Sequence, residues 1–394
     1  MHKQTIRDID VAGKRVFLRV DYNVQFDDGQ ILDDMRLRES LPTIRALIER
    51  GARVIACSHR GRPAGRVIEE LRNAPVAEHL AKLLEQPVKA VRSCVGPEAE
   101  AAVAAMQPGD VILLENVRFH VEEEDNDPEF ARRLASLADV FVCDAFGTAH
   151  RAHASVVGVA RHLPAVAGLL MERELDYLEQ ITAHPKRPFA IILGGAKIAD
   201  KIGILNNLAP HADLICVGGG IANTFLKAQG IDVGASLVEN DRIDDAFEVM
   251  RIAAQRDDLR LIIPTDVVIA DPGGERVNTV SVHRVPPGFR ILDIGRQTIE
   301  DMREALQPMN TVVWNGPLGF FEREPFDRGT IEIARILAFL PHAVTVVGGG
   351  ETAAAVQRAG VADRISHVST GGGASLEMLQ GITLPGVAVL RDRE

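Results

Sequence analysis

Cysteine is scarce in this chain. The four present, Cys57, Cys94, Cys143 and Cys216, are widely spaced and form no C-x-x-C pair, so they build neither a disulfide framework nor a zinc site. Three of them lie inside apolar runs, which reads as reduced core thiols. Long hydrophobic runs are missing as well. None approaches the roughly 18–20 residues that span a bilayer, and the polar start, Met1 to Val11, is unlike a secretory h-region; a cytoplasmic location is expected. Positive charge falls short of negative, leaving a net −11. That field repels phosphate backbones and anionic bilayers, so neither nucleic acid nor membrane is an expected partner. Several catalytic signatures are absent too. The chain has no G-x-S-x-G elbow, no H-E-x-x-H, no Walker A loop and no G-x-G-x-x-G after its first strand, which leaves hydrolase, P-loop and dinucleotide-dehydrogenase readings without support.

What the chain does have is length for two cores. Its 394 residues, 46% hydrophobic and 25% charged, exceed one ordinary domain. Short Val/Ile/Leu-rich runs recur between helical patterns: Val16–Val20, Val54–Cys57, Val111–Leu114 and Val140–Cys143, then Ala190–Leu193, Leu214–Val217, Leu261–Pro264, Val312–Trp314 and Val344–Val347. Continuous apolar strands alternating with helices signal parallel sheets covered on both faces. The expected fold class is α/β, with two Rossmann-like doubly wound parallel-sheet domains joined by a hinge helix. Pro and Gly at Leu163–Gly168 and Ala183–Pro188 bracket a helical stretch from Leu169 to about Ile181, so the boundary is placed near 165–185. A strand-like Val387–Leu390 precedes the charged tail.

Chemistry-bearing motifs follow the strand ends, where open α/β sheets bind ligands. The first half carries Arg19-Val20-Asp21-Tyr22-Asn23, Arg36, Arg38, Ser58-His59-Arg60-Gly61-Arg62-Pro63, Glu115-Asn116-Val117-Arg118-Phe119 and His150-Arg151-Ala152-His153. Converging guanidinium groups bind carboxylate and phosphate bidentately. Taken singly, each arginine also reads as a surface residue, His59 as a structural histidine, and Asp21 and Asn23 as turn formers.

The second half answers with glycine. Gly194-Gly195-Ala196-Lys197-Ile198-Ala199-Asp200-Lys201 follows a strand and is expected to open a helix, with Lys197 and Lys201 on one helical face neutralising phosphate. Gly348-Gly349-Gly350-Glu351-Thr352 reads as strand, turn and helix start, with oxygens suited to metal or phosphate. Ser369-Thr370-Gly371-Gly372-Gly373-Ala374-Ser375 is a third anion nest, and Gly218-Gly219-Gly220 is open enough to face an adenine. A plain turn, or a carboxylate complementing a helix dipole, is the competing reading of each.

Taken together in this order, these motifs, with Asp144-Ala145-Phe146-Gly147-Thr148-Ala149-His150-Arg151 and Trp314-Asn315-Gly316-Pro317, resemble the phosphoglycerate kinase family over essentially the whole chain. The resemblance implies reversible phosphoryl transfer between 1,3-bisphosphoglycerate and MgADP, giving 3-phosphoglycerate and MgATP in glycolysis. It implies an N-terminal glycerate domain, 1–168, to which about 378–394 returns, and a nucleotide domain, 169–377. Substrate contacts would fall to Asp21, Asn23, Arg36, His59, Arg60, Gly61, Arg62, Arg118 and Arg151. Nucleotide contacts would fall to Lys201, Gly218, Gly219, Asn315, Glu322, Gly349, Gly350, Glu351 and Thr352, with Glu351 the residue for Mg²⁺. Arg36, Lys197, Lys201 and the amides of Gly372 and Gly373 would stabilise the transferring group, and a monomer that closes about its hinge is expected. Three positions depart from the family pattern: Glu351 where Asp is usual, Arg60 where an apolar residue is usual, and Gln25 where Pro is usual. Another two-lobed kinase, or a binding protein that keeps the clamshell, are the rival classes.

Overall fold

The computed structural model describes residues 2–393. The chain forms two compact units, Met1–Asp176 with Thr383–Glu394, and Tyr177–Ile382. It passes from the first to the second within the helix Leu169–Ala183.

In the first unit six strands, β1 (Arg15–Arg19), β4 (Arg53–Cys57), β5 (Val88–Ala90), β6 (Val111–Leu113), β7 (Val140–Cys143) and β8 (Ala165–Ala167), make a parallel sheet. Their order is β5-β6-β4-β1-β7-β8, and a small hairpin, β2 (Phe26–Asp27) with β3 (Gln30–Ile31), stands apart. Val16 pairs with Val54 on one side and Val140 on the other. Phe17, Leu18, Val54, Phe141 and Val142 are wholly buried, as expected of strands covered on both faces.

The second unit repeats the plan with β9 (Phe189–Leu193), β10 (Leu214–Val217), β11 (Arg260–Ile262), β15 (Thr311–Asn315), β16 (Val344–Gly348) and β17 (His367–Val368), ordered β11-β10-β9-β15-β16-β17. The order reverses direction between β9 and β15, the switch point at which such sheets open a crevice. The corresponding point in the first unit lies between β1 and β7. A separate antiparallel sheet, β12 (Asp266–Ala270), β13 (Val277–Ser281) and β14 (Arg290–Ile294), packs its own apolar cluster of Leu226, Val233, Val267, Ile269, Val282 and Val285.

Two local expectations change. Ala165–Ala167, read as a turn, is an edge strand hydrogen-bonded to β7, because Pro164 closes only the residue before it. Val387–Leu390 is not a strand: Pro385–Ala388 is one short helical turn, started by a Pro at its first position. The segment Thr383–Glu394 belongs to the first unit, where Gly386 N donates to Ala149 O (2.8 Å) and Arg391 N to Ala165 O (3.0 Å). All four cysteines are free and buried.

The Leu169–Ala183 helix is capped from a distance. Its first amides find no partner in the helix; Leu169 N donates to Thr43 Oγ1 (2.9 Å), and Leu170 N and Met171 N donate to Asp144 Oδ1 (3.0 and 3.1 Å). Asp144 is wholly buried, and burial pushes its carboxyl up to about 6 despite these donors. Asp144→Ala is therefore expected to cost about 2 kcal/mol, and Asp144→Asn, which keeps an acceptor oxygen, less than about 1 kcal/mol, in urea unfolding. Equal losses would mean that charge, and not the cap, holds the helix.

Candidate active site

In the first unit the loops that leave β1, β4 and β6 are stitched together by buried polar side chains. Ser58 Oγ accepts from Tyr22 N (2.8 Å). Asn116 Nδ2 donates to Arg60 O (2.8 Å) and Leu71 O (3.0 Å), while its Oδ1 accepts from Arg60 N and Arg118 N (both 3.1 Å). Gly61 is clipped on both sides, its N donating to Asn23 Oδ1 and its O accepting from Arg118 Nη1, each at 2.8 Å.

A basic cluster stands on that frame. Arg36 Nη1 donates to Asp21 Oδ2 (2.9 Å), and Arg118 Nε lies 3.1 Å from Glu124 Oε1. Burial, then Arg19, Arg118, Arg36 and His153, hold the His59 imidazole well below its usual range. Burial and neighbouring arginines push His153 down to about 4. Both rings are neutral at pH 7, so the positive charge is carried by guanidinium groups that cannot lose it. Arg62 is exposed and Arg151 half-buried, leaving them to meet solvent or an anion.

Arg60 is not brought into this cluster. Its guanidinium lies over the Phe26 ring, 4.4 Å from the centroid, and donates to Arg72 O. Burial lowers its affinity for the proton.

In the second unit the glycines divide by what a Cβ would meet. Added to Gly194 it would lie 2.1 Å from Pro317 O; to Gly316, 2.2 Å from Gly194 O; to Gly220, 2.4 Å from Ala196 O; to Gly218, 2.5 Å from Leu318 Cδ2. The first three let the loops after β9, β10 and β15 interlock backbone to backbone, and Gly218 makes room for the Leu318 side chain. Gly195, Gly350 and Gly372 meet nothing within 4 Å, which leaves room for a ligand beside them. Gly372 (φ +52°) precedes the helix Gly373–Leu379, and Gly371 N is already bonded to Ser369 Oγ (3.1 Å).

Lys197 and Lys201 do not share a helical face. The helix starts at Ile202, and Gly194–Lys201 is a loop, pinned by Glu239, whose Oε2 accepts from Ile198 N and Ala199 N. Lys197 is exposed. Lys201 donates to Asn315 Oδ1 and is largely buried, so desolvation lowers its pKa, opposed by Asp200 and Glu351. Thr352 Oγ1 accepts from Gly316 N (2.7 Å) at the start of the helix Gly350–Arg358; it supports the turn that follows Asn315.

Beside these groups is a cavity of about 330 Å³ lined by Ala196, Gly219, Asn223, Leu237, Leu318 and Phe320 among others, with Glu322 and Glu351 also on its wall. A mostly apolar pocket with a few polar groups suits a flat heterocycle. Its antiparallel wall contributes Asp293, whose Oδ1 and Oδ2 accept from Ile294 N (2.9 Å) and Gly329 N (2.7 Å). Burial pushes that carboxyl up to about 8.

The family model for phosphoglycerate kinase matches residues 6–382. This chain belongs to the phosphoglycerate kinase family. The Pelotomaculum thermopropionicum phosphoglycerate kinase is 56% identical over 396 residues, and a Roseiflexus one 54%, each match covering all of both chains. Among solved structures, the Coxiella burnetii phosphoglycerate kinase superposes with a TM-score of 0.88 at 40% identity, covering 98% of each chain. That from Pyrococcus horikoshii gives 0.84 at 35%, covering 99% of this chain and 98% of that one. As a phosphoglycerate kinase the chain is a phosphotransferase whose acceptor is a carboxyl group.

Sequence reading left out the supports: Asn116, Glu239, Asp293 and the apolar cavity wall. Only Asn116 sat in a motif; the rest carry none.

Two expectations follow for this phosphoglycerate kinase. Gly316→Ala, at φ +93° and against backbone, is expected to cost more than about 3 kcal/mol, and Gly350→Ala less than about 1 kcal/mol, in thermal unfolding. Asp293 titrates near 8 when folded and near 3.8 when unfolded, so folding holds an extra proton between those values. Stability then falls by up to about 1.4 kcal/mol per pH unit across that window and levels above it. Asp293→Asn should gain on the wild type as pH rises from 4 to 8; a constant difference would show that Asp293 is ionised in the folded protein.

Proposed function

We propose that the arginine cluster of the first unit binds 3-phosphoglycerate or 1,3-bisphosphoglycerate, that the cavity and glycine loops of the second bind ADP or ATP, and that phosphate passes between them. The observation that carries this reading is the division of chemistry. Permanent cations gather at one sheet's carboxyl edge, and glycines with open space beside them, next to an apolar cavity, gather at the other's.

Asp21, Asn23, Arg36, His59, Arg62, Arg118 and Arg151 are the candidate acid ligands. Arg36 and Arg62 neutralise carboxylate or phosphate, and Asp21 orients Arg36 through their 2.9 Å bond. Lys201, held by Asn315, and the open amides near Gly349, Gly350 and Gly372 meet the nucleotide's phosphates, while Gly219 and Glu322 flank its base and sugar. The attacking atom is a carboxylate oxygen, already ionised at neutral pH, so catalysis reduces to positioning and charge neutralisation. Transfer requires the two bound ligands to meet, which we read as closure about the Leu169–Ala183 helix with exclusion of water.

Mg²⁺ fits the residues present as a nucleotide-borne ion. No group of three or more His, Cys, Asp or Glu among the described residues could hold a metal, but Glu351 stands exposed in the first turn of its helix. One carboxylate plus substrate phosphates is a usual Mg²⁺ donor set. Glu351 would hold the ion, which when bound would offset phosphate charge.

The test is ATP-dependent consumption of 3-phosphoglycerate, coupled to NADH oxidation through glyceraldehyde-3-phosphate dehydrogenase, with Mg²⁺ titrated from zero. Turnover that needs all three is expected; its absence would sink the reading. Arg36→Ala should lower kcat about 10²–10³-fold. It should cost under about 1 kcal/mol of stability, since its ion pair with Asp21 is one-third exposed on the arginine side.

A further inference from the structure

Beneath the basic cluster runs a chain of four side chains whose donors and acceptors are fixed by chemistry. Glu123 and Ser155 are wholly buried, and Arg19 and His59 nearly so. Glu123 grips Ser155 twice: Ser155 N donates to Oε2 (2.9 Å) and Ser155 Oγ to Oε1 (2.6 Å). The wide turn Ala154–Gly158, whose amides converge on His153 O, presents both groups together. A hydroxyl has one proton, and Glu123 takes it. Ser155 Oγ must then accept from Arg19 Nε, at 2.8 Å.

Arg19 is thereby held with Nη2 3.3 Å from His59 Nδ1, while Nη1 donates to Val20 O. A guanidinium only donates, so Nδ1 must offer its lone pair. A proton there would face another N–H, and the nearest carboxylate oxygen, Asp21 Oδ1, is 4.0 Å away, too far to accept it. Arg19, Arg36, Arg118 and His153 oppose a second proton on the ring. His59 is left with its one proton on Nε2.

We propose that Glu123 and Ser155 are positioning residues that, through Arg19, lock His59 as the Nε2–H tautomer, making it a hydrogen-bond donor to the anionic acid. This rests on the reading that the first unit binds that acid, but the tautomer itself can be measured without it. The wrong tautomer would turn a lone pair toward an anion, so the lock favours binding more than turnover.

The experiment is long-range ¹H–¹⁵N spectroscopy of the full chain labelled with ¹⁵N-histidine, with His59 assigned by the signals lost in His59→Gln. A pyridine-like Nδ1 and a pyrrole-like Nε2 are expected in the wild type; a pyrrole-like Nδ1 would overturn the proposal. In Ser155→Ala the two shifts should move toward each other, with KM for 3-phosphoglycerate raised about tenfold and kcat within about twofold. An unchanged tautomer in that variant would also overturn it. Should Ser155→Ala not fold, Arg19→Lys, which removes the Nη2 donor, is read in its place against the same outcomes. If the wild type shows the tautomer but turns over no 3-phosphoglycerate, the substrate reading fails and the lock stands.

Discussion

Parallel strands all end on the same edge of their sheet, and that constraint orders both halves of this molecule. Strand-end backbone groups there lack ladder partners, and the loops that satisfy them carry the chemistry. In the first unit Ser58, Asn23 and Asn116 spend their hydrogen bonds joining one strand-end loop to the next. In the second unit much of the same joining is done by glycines, which let one loop's backbone lie against the next. The two solutions leave different surfaces: guanidinium groups on a polar frame in one, unobstructed glycines and an apolar cavity in the other.

The cost of gathering cations explains why the first unit also contains carboxylates. Arg36 leans on Asp21, Arg118 on Glu124, and Arg19 reaches Glu123 through Ser155. Glu123 is the deepest of these, and burial raises its pKa against the pull of Arg19 and its bonds from Ser155. A carboxylate is tolerated there because its two Ser155 bonds and nearby guanidinium groups replace water. Without such partners the arginines would repel one another and spread apart before any ligand arrived.

The major strands were legible in the sequence because each central strand is buried on both faces and so reads as an unbroken apolar run. Where burial alternates or stops, the reading failed. Val277–Ser281 and Arg290–Ile294 are half exposed, and the antiparallel sheet they form was not foreseen. Glycine misled in a more specific way. Every glycine cluster looked like room for a ligand, yet Gly194, Gly220 and Gly316 are small because backbone lies against them, and Gly218 because the Leu318 side chain does. Sequence shows that a Cβ is absent; only three dimensions show what occupies its place. Lys197 and Lys201 illustrate a related limit, since a four-residue spacing implies a shared face only inside a helix, and Glu239 holds that segment as a loop.

The buried titratable groups at the two edges are poorly placed to exchange protons. A useful general base has its pKa near the working pH. His59 and His153 are pushed below that range by burial and arginines, and Asp293, pushed up to about 8, has its oxygens engaged with Ile294 N and Gly329 N in the cavity wall. The cations that remain, Arg36, Arg62, Arg118 and Arg151, are always charged. Guanidinium groups and neutral donors keep one charge state across the physiological range, so the field that they present to an anion does not change with pH.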